Sequence, residues 1–186
     1  MAPRPPRDEV RARLLEAASS VFAQKGFAAA SVEDVARAAG LTKGAIYSNF
    51  ASKDDLFFAL LGEHVARRFL AVAEVRDIGA VGDALMRAAV DDADWQLLFL
   101  EFWQRAIRDP GAREQFVTHR RELRAAMAEA IDARAAELGQ PLPMPARDLA
   151  TIFLALSNGL AIEHLADPDE VPTKLFGAVL AALAKP

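Results

Sequence analysis

The sequence predicts an all-α protein: a small N-terminal bundle of three helices, then a larger helical bundle, with about nine helices in total. Apolar residues recur at intervals of three and four along most of the chain, which is the pattern of amphipathic helices. Glycine, proline or aspartate separates the apolar stretches, and no stretch has the pattern of a strand. With 186 residues, the chain is long enough for one or two domains with their own cores.

The first helix is expected over residues 8–24, where apolar side chains form one stripe, and Gly26 is expected to end it. The preceding residues 1–7 are rich in proline and arginine. Arg4 and Arg7 lie where an N-terminal arm would contact a phosphate or a minor groove. A solvated tail is the more ordinary interpretation of the same residues.

Two short helices joined by a glycine turn are expected next. Ser31 is an N-cap residue for the first, over residues 32–39, and Gly40 ends it because glycine enters the left-handed conformation at little cost. Thr42 is an N-cap residue for the second, over residues 43–49. This order is typical of the helix-turn-helix motif, whose second helix enters the major groove of DNA. An ordinary helical hairpin has the same spacing.

The remaining helices are expected at residues 53–75, 83–92, 95–108, 110–138, 146–166 and 173–184. Residues 76–82 contain two glycines and are expected to form a bend. Asp109 and Pro110 form a strong helix start, and Gly139 is expected to end the same helix.

Charge is distributed unevenly along the chain. Residues 1–53 contain 8 Lys/Arg and 5 Asp/Glu, a net charge of +3, whereas residues 54–186 contain 14 and 21, a net charge of −7. A mildly basic N-terminal part on an acidic body suits an oriented approach to DNA.

The chain has no cysteine, which excludes disulfides and thiolate metal sites. No signal-peptide pattern and no uninterrupted apolar run of membrane-spanning length is evident, so we expect a cytoplasmic protein without a membrane partner.

The stretch over residues 31–56 resembles the DNA-binding signature of the TetR family of transcriptional regulators. The resemblance is carried by SVEDVARAAG, LTKGAIYSNF and SKDDL, and it extends weakly upstream through LLEAASSVFAQKGF. It implies an all-helical homodimer with a DNA-binding domain over residues 1–52 and a ligand-binding and dimerisation domain over residues 53–186.

By the same resemblance, particular residues are expected to contact DNA. The phosphate and base contacts fall to Thr42, Lys43, Gly44, Tyr47, Asn49 and Lys53, with Ser31 at the start of the motif, and Ala45 and Ser48 lie where base edges would be read. The family frequently has histidine where Asn49 stands. Asparagine still donates a hydrogen bond to a phosphate, but any charge is lost.

The most aromatic stretch of the chain is residues 95–107. Aromatic residues at helical spacing usually fill a core, but small-molecule sites between helices are also lined by them. The expected ligand residues are Trp95, Phe99, Phe102, Trp103, Phe116 and Phe153, with His64, Arg120 and Asn158 as polar candidates. We expect no metal and no cofactor other than an unknown small-molecule effector.

The last two predicted helices are apolar on nearly every side, so each needs cover on every side. A two-fold dimer formed by these helices would provide that cover, as would burial within one chain. The interface is expected to include Leu156, Leu160, Leu175, Phe176, Val179 and Leu183.

The sequence and the resemblance together predict a sequence-specific DNA-binding regulator, a dimeric repressor released from a palindromic operator by a small, largely apolar ligand. A ligand-independent architectural DNA-binding protein is the alternative. A helical-bundle enzyme is less favoured, because His64, His119 and His164 are scattered and no catalytic constellation stands out.

Overall fold

A computed structural model describes residues 6–184, and within them it contains nine α-helices and no strand. In chain order, α1–α9 span Arg7–Ala29, Val32–Ala38, Lys43–Tyr47, Lys53–Val72, Ile78–Val90, Ala93–Arg108, Pro110–Leu138, Ala146–Ala166 and Leu175–Leu183. The predicted all-α class is confirmed. Arg4, one of the two expected arm residues, lies outside the described residues.

The bend predicted over residues 76–82 is wrong from Ile78 onward. Helix α5 already begins at Ile78, where the side chain of Asp77 accepts a hydrogen bond from the backbone N–H of Ala80 at 2.7 Å. Gly79 and Gly82 therefore lie inside the helix. Their role is close packing, because a Cβ atom on Gly82 would lie 2.7 Å from the Cα atom of Gly177 in α9.

The chain divides into two compact units. Unit 1 comprises the chain up to Arg67 together with Leu97–Arg113, and unit 2 comprises Arg68–Gln96 together with the chain from Glu114 onward. The division falls within α4, α6 and α7, so each of these helices contributes residues to both units. Unit 1 thus contains the helix-turn-helix and extends well past residue 52.

Aromatic packing is a main feature of the core of unit 1. The ring of Phe102 stacks on that of Phe57 with centroids 4.1 Å apart, and Phe27 meets both rings edge-on at 5.0 and 5.4 Å. All three side chains are at most 1% exposed. Such pairs contribute beyond the area that they bury, so α1, α4 and α6 are held together at this point.

In unit 2, helix α5 packs against α8 and α9. Met86, Ala89, Ala161, Phe176 and Leu180 are buried together there. A second cluster joins α7 to α8 through the buried side chains of Met127, Ala150 and Leu154.

Helix α8 is the one described helix that is long and apolar enough to cross a membrane. The helix has 21 residues, and its most apolar window has a mean hydropathy of 1.4. Of the residues in that window, 17% are buried within the chain. Apolar helices of soluble proteins meet the same criteria when they are covered by other helices or by a second subunit. Most residues of α8 are therefore partly buried or exposed within one chain.

Candidate nucleic-acid interface

The turn between α2 and α3 is fixed by backbone hydrogen bonds. The N–H of Leu41 donates to the carbonyl of Ala36 at 2.9 Å, and Gly40 adopts a left-handed φ of 63°. The guanidinium of Arg13 on α1 donates to the carbonyl of Ala39 at 2.8 Å. This cation satisfies an acceptor that the end of α2 leaves free, so the turn is held from α1 as well.

Helix α3 presents one buried face and one exposed face. Ile46 is fully buried and Phe50, just beyond the helix, is 2% exposed, so both side chains fix α3 against the rest of unit 1. The side chain of Thr42 accepts from the N–H of Ala45 at 3.3 Å, as expected for an N-cap. Lys43, Ser48 and Tyr47, which is 51% exposed, lie on the open side. The exposed face thus carries a cation and two hydroxyl groups.

Lys43 forms an ion pair with Glu33 of α2, and its ammonium lies 5.8 Å from the centre of the Tyr47 ring. The hydrogen bond between the two charged groups lowers the pKa of Glu33 and raises that of Lys43. Both side chains are about half exposed, so this pair is solvated and adds little to stability. Binding of Lys43 to a phosphate would have to compete with the Glu33 carboxylate.

Ser31 caps helix α2. Its hydroxyl oxygen accepts from the N–H of Asp34 at 3.1 Å, and the Asp34 carboxylate accepts from the N–H of Ser31 at 3.1 Å, which is a reciprocal capping box. Lys25 lies 2.9 Å from the same carboxylate. These contacts, that with Lys25 foremost, hold the pKa of Asp34 far below its usual range. Ser31 thus has a structural role whether or not it also contacts DNA.

Asn49 and Ser48 form hydrogen bonds to their own helix. The Asn49 amide donates to the carbonyl of Ala45 at 2.7 Å, and the Ser48 hydroxyl donates to the same carbonyl at 2.9 Å. The side-chain oxygen of Asn49 is buried and has no hydrogen-bond partner among the described residues. A phosphate contact from either side chain would therefore require that these bonds be exchanged.

The ammonium of Lys53 points to the backbone rather than outward. It donates to the carbonyls of Phe27 and Ala30 at 2.7 and 2.9 Å, and it lies 4.4 Å from the centre of the Phe27 ring. Burial, followed by the nearby charge of Arg105, lowers its pKa. In this conformation Lys53 joins the start of α4 to the end of α1, a role that sequence spacing did not indicate.

Several contacts of unit 1 were not apparent from the sequence. Arg7 donates to the carbonyl of Ser48 at 3.3 Å, so one expected arm residue lies beside the end of α3. Glu101 accepts from two backbone N–H groups at the end of α1, and Arg105 lies 2.6 Å from Asp54. Pairs of residues more than 40 positions apart carry no local sequence signal.

The residues expected to bind a ligand are divided between the two units. Unit 1 contains His64, Phe99 and Phe102, all buried, and the partly buried Trp103. Phe102 is committed to the aromatic core with Phe27 and Phe57, so it is a packing residue in this structure.

Unit 2 contains the other expected ligand residues: Trp95, Phe116 and Arg120 are buried, and Phe153 and Asn158 are partly buried. Phe153 packs edge-on against Phe176 at 5.1 Å, and the Asn158 amide donates to the carbonyl of Leu154 at 2.7 Å. Burial, together with the nearby charge of Arg124, lowers the pKa of Arg120 to about 10.

The residues expected at a dimer interface also differ in exposure. Leu156, Leu160, Val179 and Leu183 are partly buried, and Leu175 is 39% exposed. Phe176 is fully buried in the core of unit 2, because it faces Met86 and Ala161 rather than solvent. Phe176 therefore supports α9 from within and is removed from the expected contact set.

Two family models match the chain, and together they cover most of it. The model of bacterial regulatory proteins of the TetR family matches residues 14–60, and the model of the C-terminal region of BetI-type transcriptional repressors matches residues 76–185. The chain belongs to the TetR family. A TetR-family protein is a DNA-binding transcriptional regulator and not an enzyme, and this agrees with the exposed face of α3.

Relatives and solved structures agree with this assignment. The transcriptional repressor AcnR of Corynebacterium diphtheriae is 34% identical over 130 residues, which are 70% of this chain and 67% of that protein. The transcriptional activator FasR of Mycolicibacterium smegmatis is 39% identical over 86 residues, which are 46% of this chain and 39% of that protein. A crystal structure of a TetR-family regulator from Rhodococcus sp. shares the fold, with a TM-score of 0.74, 22% identity, and coverage of 96% of this chain and all of the other.

Proposed function

We propose that this TetR-family regulator is a dimeric repressor that binds a palindromic operator and is released by a small, largely apolar ligand. The observation that carries the DNA-binding part is the exposed face of α3, where Lys43, Tyr47 and Ser48 lie opposite the buried Ile46. A rigid short helix with a cation and hydroxyl groups on its open side suits insertion into a major groove.

Repression is favoured over activation because the repressor AcnR aligns with more of this chain than the activator FasR does. AcnR is a repressor by name and aligns with 70% of this chain, whereas the activator FasR aligns with 46%. Activation is the second candidate, because the FasR alignment has the higher identity of the two, 39% against 34%. For either direction of regulation, we expect the protein to act on DNA in the cytoplasm.

The contact residues are assigned in two groups. Lys43 and Tyr47, with Thr42, Gly44 and Asn49 on the same element, approach phosphates, and Ala45 and Ser48 approach base edges. Lys53 and Ser31 are assigned chiefly to positioning, because hydrogen bonds to the backbone or to Asp34 already engage both side chains. The basic groups of the motif provide the salt-dependent part of the affinity.

Dimerisation through α8 and α9 is supported by the apolar surface of these helices. Leu175 and Ile162 are 39% and 38% exposed, and Leu156, Leu160, Val179 and Leu183 are only partly covered within one chain. Two copies related by a two-fold axis would bury these side chains in an isologous interface. A dimer would also present two α3 helices to a palindromic site, in successive major grooves about 34–36 Å apart.

Release by a ligand follows from thermodynamic linkage. A ligand that binds more tightly to a dimer with a different α3 spacing lowers the affinity for the operator. The operator lowers the affinity for the ligand by the same factor. Within unit 2, the aromatic side chains of Trp95 and Phe116 favour an apolar ligand, with Arg120 as a candidate polar contact. The division into a DNA-binding domain over residues 1–52 and a ligand-binding and dimerisation domain over residues 53–186 remains part of this proposal.

The proposal is tested by selecting bound sequences from random duplex DNA and titrating the selected duplex by fluorescence anisotropy at several salt concentrations. A palindromic consensus, bound far more tightly than random DNA, is the expected result, and the half-sites should be one helical turn apart. The selected duplex then serves as the probe for a screen of apolar small molecules that release the protein.

Binding without any enriched sequence would instead support the architectural alternative, in which affinity comes from phosphates alone. A single, non-palindromic site bound by one chain would contradict the dimeric part of the proposal while retaining the sequence-specific part.

A further inference from the structure

Helix α1 is interrupted one turn before its end. Gly26 has φ 74° and ψ 162°, values outside the helical region, and the chain resumes helical form over the next three residues. A break of this kind leaves backbone N–H groups without helical acceptors. We call residues 26–28 the Gly26 turn. It leads through Ala30 to Ser31, the cap of α2, and therefore lies directly before the helix-turn-helix.

The N–H groups of the Gly26 turn bind a carboxylate from α6. The N–H of Phe27 donates to Oε2 of Glu101 at 2.8 Å, and the N–H of Ala28 donates to Oε1 at 2.7 Å. Each oxygen of the carboxylate thus accepts one charge-assisted hydrogen bond, which is about twice as strong as a neutral one. The positive φ favours glycine at this position, and a Cβ atom there would lie 2.9 Å from Oε2, so the carboxylate would have to shift.

The carbonyl groups around the same turn bind a cation from α4. Lys53 donates to the carbonyls of Phe27 and Ala30, and its ammonium lies over the Phe27 ring. Arg105 lies on α6, as Glu101 does. Its guanidinium lies 5.2 Å from the centre of the Phe27 ring and 2.6 Å from the carboxylate of Asp54. The donors and the acceptors of the turn are therefore held by different helices, α6 and α4.

We propose that Glu101 is a positioning residue for DNA binding: its carboxylate fixes the Gly26 turn and thereby sets the placement of α2 and α3. Glu101 lies on α6 and acts through the backbone N–H groups of Phe27 and Ala28. The role is not a consequence of charge, because a carboxylate anywhere on a DNA-binding protein lowers the affinity for phosphate. Charge alone therefore predicts that removing Glu101 raises the affinity for DNA. We expect the removal to lower it, because the Gly26 turn loses its acceptor.

The test compares Glu101→Ala and Glu101→Gln with Glu63→Ala in the full chain. Glu63 is an exposed carboxylate on α4 in the same unit, so its removal changes the net charge equally without touching the turn. Affinities are measured by anisotropy for the duplex selected with the wild type and for random duplex of equal length, at a temperature where all variants are folded by circular dichroism.

Glu101→Ala is expected to bind the selected duplex about tenfold more weakly than the wild type, equivalent to about 1.4 kcal/mol. Its ratio of specific to random affinity should fall, because base contacts depend on the orientation of α3 more than phosphate contacts do. Glu101→Gln retains one carbonyl oxygen as an acceptor and should fall between Glu101→Ala and the wild type. Glu63→Ala should bind as tightly as the wild type or slightly more tightly.

Amide hydrogen exchange measured without DNA provides the second readout. Faster exchange at Phe27, Ala28 and the first turn of α2 in Glu101→Gln, with α4 unchanged, would support the positioning role independently of any operator. A folded Glu101→Ala or Glu101→Gln variant with the wild-type affinity ratio would overturn the proposal, even if its melting temperature were lower. Unchanged exchange at Phe27 and Ala28 in Glu101→Gln would overturn it as well.

Discussion

At the scale of single residues, the helix-turn-helix of this protein combines capping groups with proposed DNA-contact groups, and the two kinds are distinguishable by experiment. Ser31 and Asp34 exchange reciprocal hydrogen bonds at the start of α2, and Thr42 caps α3. The side chain of Lys43 pairs with Glu33, that of Tyr47 is 51% exposed, and both lie on the open side of α3. Loss of a cap should reduce stability, whereas loss of a contact group should reduce affinity.

We expect Ser31→Ala to lower the free energy of unfolding by about 1 kcal/mol, because the N–H of Asp34 loses its acceptor at the cap of α2. Urea unfolding followed by circular dichroism measures the change. The salt dependence of DNA binding should stay as in the wild type. A Ser31→Ala protein that is as stable as the wild type but binds both duplexes more weakly would show that Ser31 contacts a phosphate instead.

Lys43→Ala should weaken binding to the selected duplex and to random DNA alike and reduce the salt slope by about one per protomer, since one phosphate contact is lost. Glu33→Gln provides the opposite control, because it removes the carboxylate that pairs with Lys43. Its affinity for both duplexes should rise. Equal affinities for wild type, Lys43→Ala and Glu33→Gln over a range of salt concentrations would exclude Lys43 from the interface.

Residue roles were predictable where they depend on local spacing. Ser31, Gly40 and Thr42 act within four positions of their partners, and the sequence indicated the cap and turn roles of all three. The positions of Lys53 and Glu101 were not predictable, because their partners between Phe27 and Ala30 lie 23–26 and 73–74 residues away. Phe176 was predicted at the dimer interface but is buried in the core of unit 2, because an apolar residue has the same sequence pattern at a core and at an interface.

At the scale of helices, most boundaries followed from capping and breaker residues. The predicted spans for α7 and α8 match the structure, Pro110–Leu138 and Ala146–Ala166, because proline, glycine and a proline-rich loop delimit them. The start of α5 was misplaced because Gly79 and Gly82 normally interrupt a helix. Here they permit close packing on α9, and this tertiary gain outweighs the low helix propensity of glycine.

The crossing of α5 and α9 should be intolerant of a single added methyl group. In Gly82→Ala the new Cβ would meet backbone atoms of Gly177 at 2.7 and 2.9 Å, and backbone cannot move aside cheaply. We expect a loss of about 1–3 kcal/mol in the free energy of unfolding, as for overpacked cores. Thermal or urea unfolding measures the loss.

Gly62→Ala is the matched control on α4, because a Cβ atom there has no neighbour within 4 Å. Its helix should gain up to about 1 kcal/mol from the better propensity of alanine. If Gly82→Ala were as stable as Gly62→Ala, the close approach of α5 to α9 would be refuted.

At the scale of the whole molecule, the expected dimer interface on α8 and α9 and the expected palindromic operator depend on each other. Leu183→Glu should produce monomers in sedimentation velocity experiments, because a buried unpaired carboxylate costs several kcal/mol at an interface. The same change at Leu138, which is 50% exposed near the end of α7 and outside the expected interface, should leave the dimer intact. A Leu183→Glu dimer with wild-type affinity would place the interface on another surface.

The most direct test of whether α3 reads the operator is a second selection from random duplex DNA, carried out with Ser48→Arg. Ser48 lies on the exposed side of α3, and an arginine there would favour guanine through two hydrogen bonds in the major groove. We predict that the consensus changes at one position, symmetrically in both half-sites, and that the rest of the palindrome is retained. A folded Ser48→Arg protein that selects the same consensus as the wild type would contradict the claim that α3 reads the operator.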